Sequence, residues 1–229
     1  MAILHSIMFG IEPVTTFELA YKGLIIGIIA SAPTGPVGIL GIQRTLRKGP
    51  IYGLVTGLGA VLSDLFYGLM AALGMSFVMD FMTNQTNIFW MQLIGSAMLF
   101  VFGLYMFLSD PSKYFHPNSS SQNKGKGTYF HNFITSFLVT LSNPLIIILF
   151  IALFARFAFI RPDQPVPQVV GFIMMIGGAT LWWIGITYVV NRIRKTFNVK
   201  YVRILNISVG GLVMAASIVG FIFTLMGIF

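Results

Sequence analysis

Three short stretches of this sequence combine residue types that can do chemistry inside an apolar surrounding. The first is Asp64 in "GLVTGLGAVLSDLFYGLMAALG", Gly53 to Gly74; the others are "PTGP", Pro33 to Pro36, and "SNP", Ser142 to Pro144. A carboxylate in such a place can hold a cation or exchange a proton. A helix that restarts after a proline presents backbone N–H groups and partial positive charge, which suit a carboxylate or other anion. One acid beside two helix starts is equipment for binding and moving a small charged solute.

Each proline site interrupts its helix, because proline donates no backbone hydrogen bond and its ring displaces the preceding turn. Each also resembles a helix start. Asn143 is a good N-cap with Pro144 at the first helical position, and Gly35 can cap the helix that begins at Pro36. Depth follows from the flanking polar residues. Pro33 is midway between Lys22 and Arg44, Asn143-Pro144 midway between His131 and Arg156, and Asp64 midway between Lys48 and Asp80. Ordinary proline kinks satisfied by neighbouring helices are the competing reading. Two breaks at matching places and depth favour a site built from discontinuous helices.

A carboxylate at mid-bilayer depth costs about 2.5–3.5 kcal/mol on insertion scales, so Asp64 is expected to face a bundle interior or an aqueous cavity. Gly53, Gly57, Ala60, Asp64, Gly68 and Ala71 recur at steps of three or four, which places the acid on a stripe of small residues suited to close helix packing. Desolvation disfavours the charged carboxylate, whereas helix N-termini or a cationic ligand favour it, so a group balanced between them can exchange a proton for a substrate. A hydrogen-bonded Asp that merely joins two helices is the alternative. Ser63, Tyr67, Thr180, Trp182 and Trp183 lie at similar depth and are candidate lining groups, each also explicable as packing.

The elements that must position these residues are membrane helices. Of 229 residues, 56% are hydrophobic and 9% charged, with mean hydropathy +0.87, the composition of an integral membrane protein. Six apolar stretches approach the ~20 residues a crossing helix needs: Glu18 to Gln43, Tyr52 to Met79, Ile88 to Leu108, Asn132 to Ala155, Val166 to Val190 and Ile204 to Ile228. They are too long and uniformly apolar for barrel strands. The N-terminal stretch has no basic region before its apolar residues and no clear cleavage pattern, so no cleaved signal peptide is expected. There is no cysteine, which excludes thiol catalysis and thiolate metal sites.

Basic residues set the orientation. Arg44, Arg47 and Lys48 follow the first span, Lys113, Lys124 and Lys126 the third, and Arg192, Arg194, Lys195, Lys200 and Arg203 join the last two. Lys22, Arg156 and Arg161 fall on the other side. Lys and Arg in short loops stay in the cytoplasm, so both termini are expected outside. The net charge of +8 is then topology plus attraction to anionic lipid of the bilayer, and no nucleic-acid partner is needed.

The polar stretch Asp110 to Asn132 reads as a cytoplasmic linker between two blocks of three spans. Three is odd, so the second block enters the membrane from the opposite face, the geometry of an inverted repeat. The expectation is therefore an all-α membrane protein with six helices in a 3+3 inverted-topology repeat, the first and fourth spans broken near the midplane. It forms a single transport domain, with a first repeat over about 18–109, the linker over about 110–131 and a second repeat over about 132–229. Small-residue faces such as Gly210, Gly211, Ala215 and Gly220 fit packing within one bundle or contact between copies in a homo-oligomer.

"GPVGILGIQRTLRKGPIYGLVTGLGAVLSDLFYGLMAALG", Gly35 to Gly74, resembles the first conserved block of the lysine exporter (LysE/RhtB-type) family of amino-acid export permeases. The Gly-Pro break, Gln43-Arg44, Gly49, Gly53, Gly57 and Asp64 occur in the family's order. "TSFLVTLSNPLIIILFIALFARF", Thr135 to Phe157, is similar to its second block, centred on Asn143-Pro144. The resemblance implies a secondary transporter of the bacterial cytoplasmic membrane that exports amino acids or related small metabolites, driven by protons. Pro33, Gly35, Pro36, Asn143 and Pro144 would form the break site and Asp64 the coupling or substrate-binding acid. The family often has Pro-Gly-Pro followed by a polar residue, whereas Thr34-Gly35-Pro36 is here followed by Val37, a departure that bears on the substrate.

Other classes fit less well. Metal export needs several ligands together, whereas the membrane interior here offers one carboxylate and no central histidine, so no metal or other cofactor is expected. An enzyme needs a nucleophile with a base, or paired acids, and His5, His116 and His131 lie near ends or loops. A passive channel, or an exporter of a different small solute, stays open, since the same polar centre could line a pore.

Overall fold

The computed structural model describes residues 15–32, 35–76, 85–110, 128–143, 145–161 and 163–227. Pro33, Thr34, Pro144, the first fourteen residues and most of the expected linker lie outside them. The described residues form eight α-helices: α1 (Thr16–Ser31), α2 (Pro36–Lys48), α3 (Pro50–Ser76), α4 (Gln85–Leu108), α5 (Tyr129–Leu141), α6 (Leu145–Phe157), α7 (Pro165–Arg192) and α8 (Val199–Leu225). Helices α3, α4, α7 and α8 are each long and apolar enough to cross a membrane. The pairs α1/α2 and α5/α6 pass the same test only together, bent by 78° and 70° at their breaks. Counting each bent pair once gives six spans, and all six overlap the apolar stretches expected from the sequence.

Local chemistry explains the boundaries. Thr15 accepts a hydrogen bond from the Glu18 backbone N–H at 3.1 Å to start α1, and Glu18 in turn pairs with Lys22 at 2.6 Å, the Thr-x-x-Glu pattern of a capped N-terminus. Gly35 caps α2 and Pro36 takes its first turn, as the sequence predicted. Gly49 turns through φ 108° between α2 and α3, a conformation that side chains with a Cβ resist. Thr128 accepts from the His131 N–H at 3.3 Å, so α5 begins at Tyr129 and the polar end of the expected linker is helical.

Without a hydrophobic drive between helices in lipid, association rests on close packing by small residues and on interhelical hydrogen bonds. Three pairs show this. In α1 against α7, Gly23 and Gly27 lie on the carbonyls of Gly171 and Met175, and Gly178 lies on that of Leu24. In α4 against α8, Gly103 and Gly210 face each other's backbone, so Gly210 packs within the bundle. In α3 against α5, Gly59 lies on Phe133 and Ser136, while Ser63 Oγ and the Tyr67 hydroxyl donate to the carbonyls of Phe137 and Leu141.

The largest core cluster gathers around α6. Phe150, Phe154 and Phe159 are completely buried with Leu19 and Ile26 of α1, Tyr67 and Met75 of α3, and Met175 of α7. Ala158, at φ 45°, folds the chain back so that the Phe159 ring stacks on Phe154 with centroids 5.1 Å apart. This aromatic block occupies the half of the bundle into which α6 leads, away from the basic connections.

The α1–α7 contact makes a prediction. Gly27→Leu drives a side chain into the Met175 carbonyl and should destabilise the protein by about 1–3 kcal/mol, the usual range for overpacking. Gly177→Leu, where an added Cβ meets nothing within 4 Å, should not. Thermal unfolding of the two variants in detergent, beside the wild type, measures the difference.

Candidate functional site

Ser31, the last residue of α1, donates from Oγ to Asp64 Oδ2 at 3.0 Å. That bond sets the acid of α3 at the break between α1 and α2. Asp64 is only 6% exposed and lines a cavity of about 180 Å³. Ser31, Asp64, Thr140, Asn143, Trp183 and Asn206 supply the polar part of its wall, and residues such as Val37, Met106, Leu145, Ile146 and Leu149 the apolar part. Gly35 and Pro36 from one break, and Asn143 and Leu145 from the other, therefore reach a single space. The cavity also touches Tyr105 and Ser109 at the end of α4 next to the basic linker. On its other side Leu149 belongs to the aromatic block.

The two helix starts are not equivalent. Asn143 Oδ1 accepts from the Leu145 N–H at 3.2 Å and its carbonyl accepts from the Ile146 N–H, also at 3.2 Å. The start of α6 thus uses its first donors on its own cap. The N-cap of α2 is Gly35, which has no side chain to accept a bond, and among the described residues no side chain caps this start; the Ile39 N–H donates to the Gly35 carbonyl at 3.1 Å. A Cβ added at Gly35 would meet nothing within 4 Å, so this end looks onto open space. Of the two starts, α2 is the one with N–H groups and dipole to offer an anion.

The small-residue stripe of α3 has a specific occupant. The Trp183 indole fills a notch between Gly41 of α2 and Gly57 of α3, where an added Cβ on either would stand 2.5 Å from ring carbons. Ala60, Val61 and Ala179 belong to the same buried cluster. Gly53 takes Thr45 and Thr187 in the same way. Trp183 is 5% exposed and Asn206 of α8 1% exposed, and among the described residues neither the Trp183 Nε1 nor the Asn206 Oδ1 has a partner. Both residues line the cavity.

Among the candidates named from sequence, Asp64, Gly35, Pro36, Asn143 and Trp183 meet at this cavity. Pro33 and Pro144 lie outside the described residues. Ser63 and Tyr67 instead bind carbonyls of α5, Thr180 Oγ1 donates to the Ile176 carbonyl of its own helix at 2.8 Å, and Trp182 packs against the Ala60 and Val61 cluster. Ser31, Thr140 and Asn206 were missed. Asn206 carries a signal, as the one amide in the apolar run "VRILNISVGG", Val202 to Gly211. Near the basic connections, Arg44 Nη1 donates to Thr56 Oγ1 at 2.9 Å and to the Asn132 carbonyl at 2.8 Å, tying α2 to α3 and α5.

Comparison with known proteins gives a consistent picture. Residues 28–227 match the family described as "LysE type translocator". A relative in Bacillus subtilis (strain 168), named "Putative amino acid efflux protein YcgF", is 28% identical over 131 residues, which cover 57% of this chain and 59% of the relative. The match thus spans less than two thirds of that relative's length. No solved structure matches.

Because the chain has no cysteine, the cavity can be mapped one introduced thiol at a time. Thr140→Cys should react with a small hydrophilic thiosulfonate applied in water, whereas Leu153→Cys, at a position fully buried in the aromatic block, should stay unmodified. Equal labelling of the two would contradict the cavity's placement.

Proposed function

The chain belongs to the LysE type translocator family, and from that premise we propose that it exports amino acids or related small metabolites from the bacterial cytoplasm by exchange for protons. The observation that carries the reading is the buried Asp64, held by Ser31 at the helix break and facing a cavity that both breaks reach. An isolated carboxyl at this depth is costly unless it serves a substrate or ion path.

In this reading the six spans form two inverted repeats of three. The paired contacts support it: α1 of the first bent span packs on α7, and α5 of the second packs on α3, with α4 and α8 packed on each other. Exchanging the halves converts the first contact into the second and leaves the third unchanged. Both termini lie outside the cell, so the cavity, which extends toward the basic linker, faces the cytoplasm.

A zwitterion enters from that side. Its carboxylate sits at the start of α2, and its ammonium meets Asp64, replacing a proton there. Rocking of the two halves then opens the aromatic block around Phe150 and Phe154 and closes the cytoplasmic side, where Arg44 already bridges α2 to α3 and α5. A proton from outside returns Asp64 to its neutral form and resets the cycle. The fully buried aromatic block favours this alternating access over an open channel.

Proteoliposomes loaded with amino acids and given a pH gradient test the proposal. Asp64→Asn should cut gradient-driven flux at least about tenfold, as expected for loss of a charge-assisted contact. Wild-type rates in that variant, or flux indifferent to the gradient in the unmodified protein, would contradict antiport.

A further inference from the structure

One cation stands apart from the machinery described so far. Arg156 is in the last turn of α6 and partly buried, and among the described residues its guanidinium makes no ion pair and no hydrogen bond. Its position is nonetheless defined. A Cβ added at Gly220 of α8 would collide with the guanidinium, whose Nε, Nη2 and Cζ are the nearest atoms, so the group lies against the α8 backbone where only glycine leaves room. The backbone of the same turn lies on α4, where a Cβ added at Gly95 would stand 2.9 Å from the Ala152 carbonyl oxygen and 2.9 Å from the Arg156 backbone nitrogen. The end of α6 is thus held between α4 and α8.

The contact has a force behind it. Arg156 and Gly220 are near the C-terminal ends of their helices, α6 ending at Phe157 and α8 at Leu225, where unpaired carbonyls carry partial negative charge that a cation offsets. A buried ion pair would be costly to part, because each charge would be left stranded. A guanidinium held by packing and helix ends, on a stem long enough to reach the interface, parts without stranding an acid. What it holds closed is on the same helix. Phe154 is completely buried, Phe159 stacks on it just past the turn at Ala158, and Ala152, Leu153 and Ala155 belong to the same core cluster. Moving the end of α6 off α4 and α8 therefore moves the aromatic block.

Resting on the alternating access and orientation proposed above, we infer that Arg156 is the latch of the outer gate. Seated on Gly220, it keeps α6 against α4 and α8 and the path from Asp64 to the outside closed; outward opening lifts it off α8. It is a positioning residue, acting through α6 and not on the solute. Its counterpart at the other end is Arg44, whose hydrogen bonds to Thr56 and the Asn132 carbonyl tie α2 to α3 and α5 near the basic connections.

Thr140→Cys in the cavity reports the gate. In intact cells producing that variant, a membrane-impermeant thiosulfonate in the medium reaches the thiol only through an open outer side, and the mass shift of the purified protein reads the rate. Two substitutions disturb the latch from opposite sides. Arg156→Ala removes the guanidinium; Gly220→Ala keeps it but places a Cβ where it sits, and the flexible side chain swings aside with the helices left in place. Each should speed external labelling about two- to fivefold, the scale on which one charge at a helix end shifts an equilibrium. Because both break one contact, the double variant should label no faster than Arg156→Ala alone. External labelling at the unmodified rate in both variants, or rates that multiply in the double variant, would overturn the latch and leave alternating access standing. If Thr140→Cys with Arg156 and Gly220 intact is labelled as fast from outside as it is in inside-out vesicles, the outer side is not closed, and the alternating-access reading falls and takes this inference with it.

Discussion

The arrangement depends on one constraint: a carboxyl group placed at the centre of an apolar bundle must be faced by something polar. Here the partner is Ser31, the last residue of α1. The break in the first span and the acid in the second are therefore two halves of one solution. A continuous helix in place of the break would bring α2 in line with α1, and would remove the N-terminus of α2 from Asp64's neighbourhood. The 78° bend opens space beside the acid.

That space survives because the surrounding packing is divided. On one side, aromatic rings from α6 and the following turn fill the bundle completely. On the other, a single large ring, Trp183, is seated in glycines of α2 and α3, fixing the wall without filling the cavity. Glycines in α1 and α7 bring those helices into backbone contact. These contacts join the first bent helix pair to an unbroken span from the other end of the chain.

Much of this was legible in the sequence, and the parts that were not share a cause. Helix breaks and depth are one-dimensional properties, so Gly35-Pro36, Asn143-Pro144 and Asp64 could be placed from charges and prolines alone. Direction around a helix is a second coordinate that depth does not supply. Ser63 is one residue from Asp64 and thus about 100° around the helix, which turns it to α5 rather than the cavity; Trp182 is displaced from Trp183 in the same way. The unequal capping of the two half-helices depends on Asn143 turning its own side chain onto α6, which composition cannot distinguish from an amide offered to a ligand. Asn206 escaped because it lies off the midplane, seven residues into α8.

The central claim is that a substrate occupies this cavity in contact with Asp64, and its most direct measurement is protection of that carboxyl from chemical modification. Purified protein treated with a hydrophobic carbodiimide, with and without leucine, and analysed by mass spectrometry of the α3 peptide, reads the contact at one residue. The account predicts that Asp64 is modified in the free protein and that leucine slows the reaction in a saturable way. Modification at the same rate at every leucine concentration would contradict it.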